Sequence, residues 1–367
     1  MELPRLKIGT SDYLPVYISE KERYQSTTCI GGSGSGKSEL AKNCYAQDCS
    51  FRVASVVIDP SSFLARDCYS ISRGKAFYCG IDNPISINPM RAPYSDQQII
   101  DNITEALNQT VTAETQNLTL TVNMLKILNE DGKWCLKNNR RTLLNLRDRI
   151  ETGSGLKEAR EGLTNRLNML LNDPNLEKIL CGRNFIEWGQ FFKDRKSFLL
   201  DASGLSEMKM VFLGTIASAG IKSYFRFQRQ DEYSPVSIIV DEAQNFISKN
   251  WVSVMNESRK YRIGLMMLSQ SLALFPEQMR RIMLNTGNII AFKVGSQDAQ
   301  LLSREVGLKT EDIQFIEKYH FGFRTASARG ILKAPSPLIF RKRELKAEPQ
   351  SKPHGIKWFP LEPLEAE

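Results

Sequence analysis

A strand, a glycine-rich loop and a helix follow one another near the start of the chain, and they constrain its fold more than any other feature. Residues Ser26–Ile30 (STTCI) read as a short buried strand, and Gly31–Ser38 (GGSGSGKS) form the loop. The loop fits the pattern G-x-x-x-x-G-K-[ST], and the spacing that follows predicts a helix to about Gln47. A second apolar run at Val53–Ile58 completes a βαβ unit. This order predicts a parallel sheet with right-handed crossovers.

The loop predicts a phosphate-binding site. Glycines let backbone N–H groups wrap around phosphates, and the start of the helix adds a favourable dipole. Lys37 would reach the β- and γ-phosphates and Ser38 would ligate Mg²⁺, so ATP and Mg²⁺ are the expected cofactors. A Gly/Ser-rich turn that only resembles the motif is the alternative, and the flanking strand and helix argue against it. The residues predicted to hold the nucleotide are Gly31, Gly32, Ser33, Gly34, Ser35, Gly36, Lys37 and Ser38.

Two carboxylates end a later apolar strand, in the segment Ser237–Glu242 (SIIVDE). Asp241 is expected to bind the metal ion, and Glu242 is expected to polarise the attacking water. The alternative is a strand that simply meets an acidic helix start. Asp59 ends another strand, which we place beside the strand that precedes the loop. It would touch the metal shell or cap the next turn, and we favour capping.

Polar residues near these carboxylates complete the predicted catalytic set. Gln270 ends the strand Gly264–Ser269, and it would reach Glu242 if that strand neighbours Val236–Val240. Capping of a polar loop is its alternative role. ATPases of this kind often need an arginine donated by a neighbouring subunit. The candidates are Arg259, Arg262, Arg280, Arg281 and Arg304.

The apolar pattern divides the chain into four parts. Further short strands are expected at Ser197–Leu200 and Asn288–Lys293, whereas helical spacing dominates the intervening residues. We predict an α/β fold with a mainly parallel central sheet and an all-α insertion. The parts are the first part of the core (1–94), the insertion (95–193), the second part of the core (194–345) and a Pro-rich C-terminal tail (346–367).

Composition excludes several classes of protein. With 41% hydrophobic and 25% charged residues, the chain is neither disordered nor collagen-like. No apolar stretch reaches the roughly 20 residues of a transmembrane helix, and no signal peptide opens the chain, so a cytoplasmic location is expected. The seven cysteines show no CxxC or paired zinc spacing.

The net charge of +8 permits an anionic partner. Basic clusters at Arg140–Arg149 and Arg341–Lys346 would contact phosphates or form solvated faces.

Five segments taken together resemble a known group, the HerA–FtsK superfamily. Within it, the chain is most similar to the HerA-like and type IV secretion (conjugative) coupling ATPases. The resemblance extends over most of residues 5–330. The segments that carry it are GGSGSGKS (Gly31–Ser38), INPM (Ile87–Met90), VDEAQNF (Val240–Phe246), ESRKYRIGLMMLSQSL (Glu257–Leu272) and NTGNIIAFKVGSQDAQLL (Asn285–Leu302).

This resemblance implies a RecA-like P-loop ATPase core, an all-α insertion after the second strand, and a hexameric ring. It also implies ATP-driven movement of DNA, expected to be duplex, or of a protein–DNA substrate through a central pore. By motif, Lys37 and Ser38 match the Walker A lysine and serine, and Asp241 and Glu242 match Walker B. Gln270 matches the sensor glutamine. Arg259 matches the place where several members carry their trans-acting arginine.

The chain departs from the group before the P-loop. Only about 30 residues precede it, without the transmembrane helices of membrane-bound coupling proteins or the β-barrel of HerA. A protein partner is therefore expected to dock it, with any membrane association occurring through that partner. Two other functions stay open. One is a secretion or pilus-assembly ATPase of the same superfamily, and the other is a regulatory nucleotide-binding switch.

Overall fold

The computed structural model describes residues 3–92, 94–114, 119–183, 185–227, 234–246 and 248–338. Within these residues the strands form one 11-stranded sheet in the order β2-β1-β11-β10-β9-β3-β8-β7-β4-β6-β5. The strands are β1 (Leu6–Ser11), β2 (Leu14–Ile18), β3 (Thr27–Ile30), β4 (Ala54–Asp59), β5 (Phe77–Cys79), β6 (Ser197–Asp201), β7 (Val236–Val240), β8 (Ile263–Ser269), β9 (Asn288–Ala291), β10 (His320–Arg324) and β11 (Arg329–Lys333).

The larger part of the sheet is parallel, which confirms the predicted α/β class. Strands β9, β3, β8, β7, β4, β6 and β5 run in one direction, and β10, β11, β1 and β2 extend the sheet by antiparallel pairing. Strands β3, β8 and β7 are adjacent, so the carboxyl ends of all three meet at one edge. Because loops at this edge follow buried, rigid strands, it is where α/β proteins build their sites.

Helices cover both faces of the sheet. They are α1 (Glu20–Arg23), α2 (Lys37–Ser50), α3 (Phe63–Ile71), α4 (Asp96–Glu114), α5 (Val122–Lys137), α6 (Leu143–Thr152), α7 (Lys157–Leu171), α8 (Pro174–Cys181), α9 (Trp188–Lys193), α10 (Glu207–Phe227), α11 (Lys249–Glu257), α12 (Glu277–Leu284), α13 (Ser296–Val306) and α14 (Thr310–Gln314). On β4, Val57 packs into the core formed with α2 and α3, whereas Val56 and Ile58 pack into the core of the opposite face. This alternation is what a strand buried on both sides requires.

Helices α4–α9 lie between β5 and β6. The resemblance implied an all-α insertion after the second strand of the core, and in the structure α3 and β5 lie between that strand and α4. Strand β5 has only three residues, FYC, which is too short for a periodic signal in the sequence. The antiparallel strands at the other end of the sheet were not predicted. The pairs β1–β2 and β10–β11 are local hairpins, and the pairing of β1 with β11 joins segments far apart in the sequence.

Part of the basic cluster Arg140–Arg149 is used inside the helical segment. Arg149 bonds Asp131 at 3.2 Å and stacks over the ring of Trp134, with Arg140 over the same ring. Asp131 also binds buried Arg160 at 2.8 Å. The second basic cluster, Arg341–Lys346, and the predicted tail lie outside the described residues. No helix in the described part of the chain is long and apolar enough to cross a bilayer.

Candidate active site

The glycine-rich loop begins at the end of β3 and is held by the two neighbouring strands. The Gly31 N–H donates to the Ser269 carbonyl at 3.1 Å, and the Gly32 N–H donates to the Lys293 carbonyl at 2.8 Å. A Cβ at Gly31 would lie 2.5 Å from the Cβ of Phe292, so only glycine fits there. At Gly36, φ is +116°, a conformation that glycine adopts without strain. The start of the loop is therefore held by the end of β8 and by the residues that follow β9.

The interior of this loop is suited to a chain of phosphates. The backbone N–H groups of Ser33, Gly34 and Gly36 have no acceptor among the described residues. The Ser35 hydroxyl is likewise buried and unpartnered within that part of the chain. Lys37 is only 6% exposed, and its Nζ donates to the carbonyls of the loop at 2.5 and 3.2 Å. Backbone donors without acceptors, together with one buried cation, fit an anionic ligand.

An open cleft continues from the loop toward α14 and β10. Its volume is about 680 Å³, within the range of small-molecule sites. Apolar side chains from Val294, Phe315 and Ile316 line it together with polar groups. A nucleoside attached to phosphates in the loop could extend into this cleft. The other lining residues are Gly32, Ser33, Gly34, Ser35, Lys293, Gly295, Gln314, Glu317, Lys318 and His320.

Asp241 lies at the end of β7, on the same edge as the loop. Its N–H donates to the Ile58 carbonyl at 2.9 Å, and its Oδ1 accepts the N–H of Glu242 at 3.0 Å. Burial, and then the negative charges of Asp59 and Glu242, raise the pKa of Asp241 to about 6. A buried carboxylate among like charges attracts a cation, and a carboxylate oxygen is a ligand that Mg²⁺ prefers. Ser38, half-buried at the start of α2, would be the second ligand.

Asp59 has a structural role. Its Oδ1 accepts the N–H and hydroxyl of Ser61, each at 2.7 Å, and its Oδ2 accepts the N–H of Ala65 at 2.9 Å. These bonds cap the turn that starts α3, as favoured from the sequence. The predicted position of its strand is wrong, because β8 and β7 separate β4 from β3. Strands that follow one another in sequence are not always neighbours in a doubly covered sheet.

The raised pKa of Asp241 predicts that Asp241→Asn stabilises the metal-free protein at about pH 8. The folded state holds this proton more tightly than the unfolded chain, whose pKa is near 3.8, so ionisation costs stability as pH rises through about 6. The expected gain is up to about 3 kcal/mol at about pH 8, and it disappears near pH 4. Thermal unfolding in a chelator at both pH values measures it. Asp59→Asn is the comparison: it removes a charge next to Asp241 but also one acceptor oxygen from the turn that starts α3, so its gain at about pH 8 should be smaller than that of Asp241→Asn.

Glu242 follows Asp241 in a left-handed conformation, with φ of +42°. Both oxygens of its carboxylate accept side-chain amides. Gln270 Nε2 donates to Oε1 at 2.9 Å, and Gln244 Nε2 donates to Oε2 at 2.8 Å. The structure thus brings Glu242 and Gln270 together across β7 and β8, which are adjacent. Gln244 is a contact that the sequence analysis missed. Its only signal is a polar residue two positions after Glu242, on the turn Ala243–Phe246.

Arg259 lies at the opposite edge of the sheet. It is exposed, in the turn between α11 and the start of β8. Strand β8 spans seven residues, so Arg259 is about 20 Å from the loop of its own chain. Its side chain has no polar partner among the described residues. Of the other candidates, Arg281 forms an ion pair with Glu277 on α12. Within one chain, then, Arg259 does not join Lys37, Asp241 and Glu242.

Comparisons with known proteins agree with this architecture. Residues 235–329, about a quarter of the chain, match a family model described as the TraM recognition site of TraD and TraG. The plasmid coupling protein TrwB in complex with ADP and Mg²⁺ superposes with a TM-score of 0.72 at 12% identity, covering 92% of this chain and 90% of TrwB. VirB4 of Thermoanaerobacter pseudethanolicus gives 0.70 at 14% identity, covering 90% of this chain and 96% of VirB4. A comparison with curated protein sequences finds no match.

At these identities the solved structures show the fold, which is the RecA-like P-loop ATPase fold of TrwB. The family model adds sequence evidence over the segment from β7 to the start of β11. Together they confirm the predicted resemblance to conjugative coupling ATPases of the HerA–FtsK type.

Proposed function

We propose that this chain is the Mg²⁺-dependent ATPase motor of a type IV secretion-related machine, and that it moves DNA. The observation that carries the proposal is one edge of the sheet, where Lys37, Asp241 and the pair Glu242–Gln270 meet. This set supplies phosphate binding, a metal ligand and a group that acts on water. A structure with this fold, TrwB, has been solved with ADP and Mg²⁺, which supports the same ligands here.

The residues divide the reaction between them. The loop N–H groups and Lys37 hold the β- and γ-phosphates. To do so, Lys37 must give up its hydrogen bonds to the two loop carbonyls. Ser38 and Asp241 would hold Mg²⁺, whose charge lowers the energy of the phosphates as negative charge develops. Glu242 orients the attacking water and takes its proton, while Gln270 contacts the γ-phosphate or that water.

A moving DNA substrate is supported by two features. TrwB is a conjugative coupling protein, and this chain covers 88% of the solved TrwBdeltaN70 chain with the same fold. The net charge of +8 also favours a polyanionic substrate. VirB4 has an equally similar fold. The second candidate is a secretion ATPase of the same superfamily, which would act on protein.

The ring and its partners belong to the same proposal. A homo-hexamer would bring Arg259 of one subunit to the nucleotide of the next, because that arginine cannot reach its own. The family model described as a TraM recognition site supports a protein partner that docks the motor. A cytoplasmic position, peripheral to a membrane through that partner, fits this arrangement. We retain the four-part division at residues 94, 193 and 345 as part of the proposal.

ATP turnover with and without linear duplex DNA tests the proposed function. We expect Mg²⁺-dependent hydrolysis that DNA stimulates, and DNA binding that weakens steeply between about 50 and 200 mM salt because counterions are released. Lys37→Ala is expected to bind nucleotide about 10- to 100-fold more weakly, since a charge-assisted contact is lost. If DNA does not change the ATP turnover rate and the affinity for DNA does not depend on salt, the protein-export function would be favoured. No turnover at all would favour the nucleotide-binding switch.

A further inference from the structure

We infer that Gln244 is a positioning residue for Glu242, and that it acts through a hydrogen-bonded relay connecting the phosphate loop to the catalytic carboxylate. The relay runs from Gly31 through Ser269 and Gln244 to Glu242. The inference rests on the proposed ATPase function, because it assigns a task within that reaction. It adds a residue that neither the motif nor the resemblance singled out.

The relay starts in the backbone of β8. The carbonyl of Ser269 accepts the N–H of Gly31, the first loop glycine, at 3.1 Å. The hydroxyl of the same serine donates to Gln244 Oε1 at 2.8 Å, and it lies 3.2 Å from the carbonyl of Ser271. Ser269 is fully buried, so its hydroxyl depends on these protein partners. One residue therefore contacts both the phosphate loop and the side chain of Gln244.

The chemistry of the partners fixes which way the Gln244 amide faces. An ionised carboxylate only accepts hydrogen bonds, so the Nε2 group must face Glu242, 2.8 Å from Oε2. The carbonyl end is then left for the hydroxyl of Ser269, which can donate. Each end of the amide thus has one suitable partner, and rotating the amide by half a turn would break the bond to the carboxylate.

The backbone that carries Gln244 is held from the other side. Phe246, at the end of the same turn, is fully buried against α10. A Cβ at Gly214 of α10 would lie 2.7 Å from Phe246 Cδ1, so the turn approaches that helix as closely as glycine allows. The Asn245 N–H donates to the Glu242 carbonyl at 3.0 Å and closes the turn. Gln244 therefore projects from a fixed position.

The two amides on Glu242 then have different tasks. Gln270 is exposed just after β8, at the same edge of the sheet as the phosphate loop that follows β3. When Gln270 turns to the phosphate, it leaves Oε1 of Glu242 free to accept a proton from water. Gln244 keeps its bond to Oε2, because it is anchored to Ser269. The carboxylate of Glu242 keeps its orientation while its Oε1 becomes available, which is the pre-organisation that general base catalysis requires.

A double-mutant cycle on Gln244→Leu and Ser269→Ala tests the relay. We expect Gln244→Leu to lower kcat by about 10- to 100-fold, with KM for ATP and the affinity for a fluorescent ATP analogue within about twofold of wild type. Ser269→Ala should lower kcat by about threefold to tenfold alone and cause no further loss in the Gln244→Leu background. Ser269→Thr keeps the hydroxyl and should stay within about twofold of wild type.

Asn245→Ala is the matched control. It removes a neighbouring amide of the same turn, whose side chain makes no hydrogen bond within the described part of the chain, and kcat should be unchanged. If Gln244→Leu does not fold, Gln244→Asn shortens the amide by one methylene group and breaks the same bond.

Two results would overturn the relay: additive losses in the double mutant, which indicate independent structural roles, or wild-type kcat in a folded Gln244 variant. A wild-type chain without ATP turnover would instead overturn the proposed function, and the role of Gln244 with it.

Discussion

Arg259→Ala is expected to bind ATP like wild type and to lose about 10³-fold or more of its hydrolysis rate. The reason is that charge developing on the γ-phosphate needs an additional cation, and an arginine supplied by a neighbouring subunit contributes about 10³- to 10⁵-fold. Arg259 is exposed and about 20 Å from its own loop, at the amino end of β8. Its effect must therefore come from a second copy of the chain. Steady-state turnover and nucleotide titration measure the two properties separately.

Lys260→Ala is the control for this variant. Lys260 is an exposed cation in the same turn, and its Nζ lies 5.2 Å from the centre of the Tyr261 ring. Lys260→Ala removes one positive charge next to Arg259. If the position of Arg259 matters rather than the net charge of the turn, turnover should stay within about twofold of wild type. Equal losses in both variants would indicate a general effect of charge on assembly.

Mixing Arg259→Ala with Lys37→Ala, at an ATP concentration too low to occupy the Lys37→Ala site, decides whether Arg259 acts in trans. In a ring of Arg259→Ala and Lys37→Ala subunits, some interfaces combine an intact loop with an intact arginine. Partial activity should therefore return on mixing, and specific activity of wild type should rise with protein concentration toward a hexamer. If the mixture stays inactive although subunits exchange, then Arg259 has only a structural role in its own chain.

Glu242→Gln is expected to retain ATP binding and to lower kcat by about 10²- to 10⁴-fold, the usual contribution of a general base. The two side chains have the same shape, but the glutamine offers only one acceptor to two amide donors. Either Gln244 or Gln270 must then turn away, because both now donate to Glu242 at 2.8 and 2.9 Å. Single-turnover hydrolysis and binding of a fluorescent ATP analogue separate loss of chemistry from loss of affinity.

Glu277→Gln serves as the matched control for Glu242→Gln. Glu277 is an exposed carboxylate on α12 that pairs with Arg281, so its loss should leave turnover within about twofold of wild type. Hydrolysis at the wild-type rate in Glu242→Gln would remove Glu242 from its proposed role. The Gln244 relay would then have no target.

The sequence was sufficient for the features that depend on local pattern. The loop Gly31–Ser38, the strand that ends at Asp241 and the strand that ends before Gln270 all have a short apolar run followed by polar residues. Such runs are typical of parallel strands buried on both faces. Their common orientation follows from the βαβ rule, so the meeting of these residues at one edge could be predicted.

Other features depend on contacts between distant segments and could not be predicted. Strand order is one: β4 follows β3 in sequence, yet β8 and β7 lie between them, so Asp59 was placed too close to the loop. The Gln244 amide is another, because its role depends on Ser269, which is 25 residues away and whose hydroxyl direction no pattern reveals. The choice of Arg259 followed from its place in the matched motif. Its distance from the phosphate loop of its own chain could be seen only in the structure.

Strand β8 connects the turn that carries Arg259 to the residues around Glu242. Its amino end follows the turn of Arg259, its carboxyl end carries Ser269 and Gln270, and all seven of its residues are buried between β3 and β7. A strand packed on both faces and bonded on both edges is hardly compressible and transmits strain along its length. If Arg259 shifts toward the nucleotide of a neighbouring subunit, β8 would transmit that displacement to the residues that orient Glu242. In the proposed ring, each subunit would then adjust its own hydrolysis to the nucleotide bound by its neighbour, which favours sequential hydrolysis.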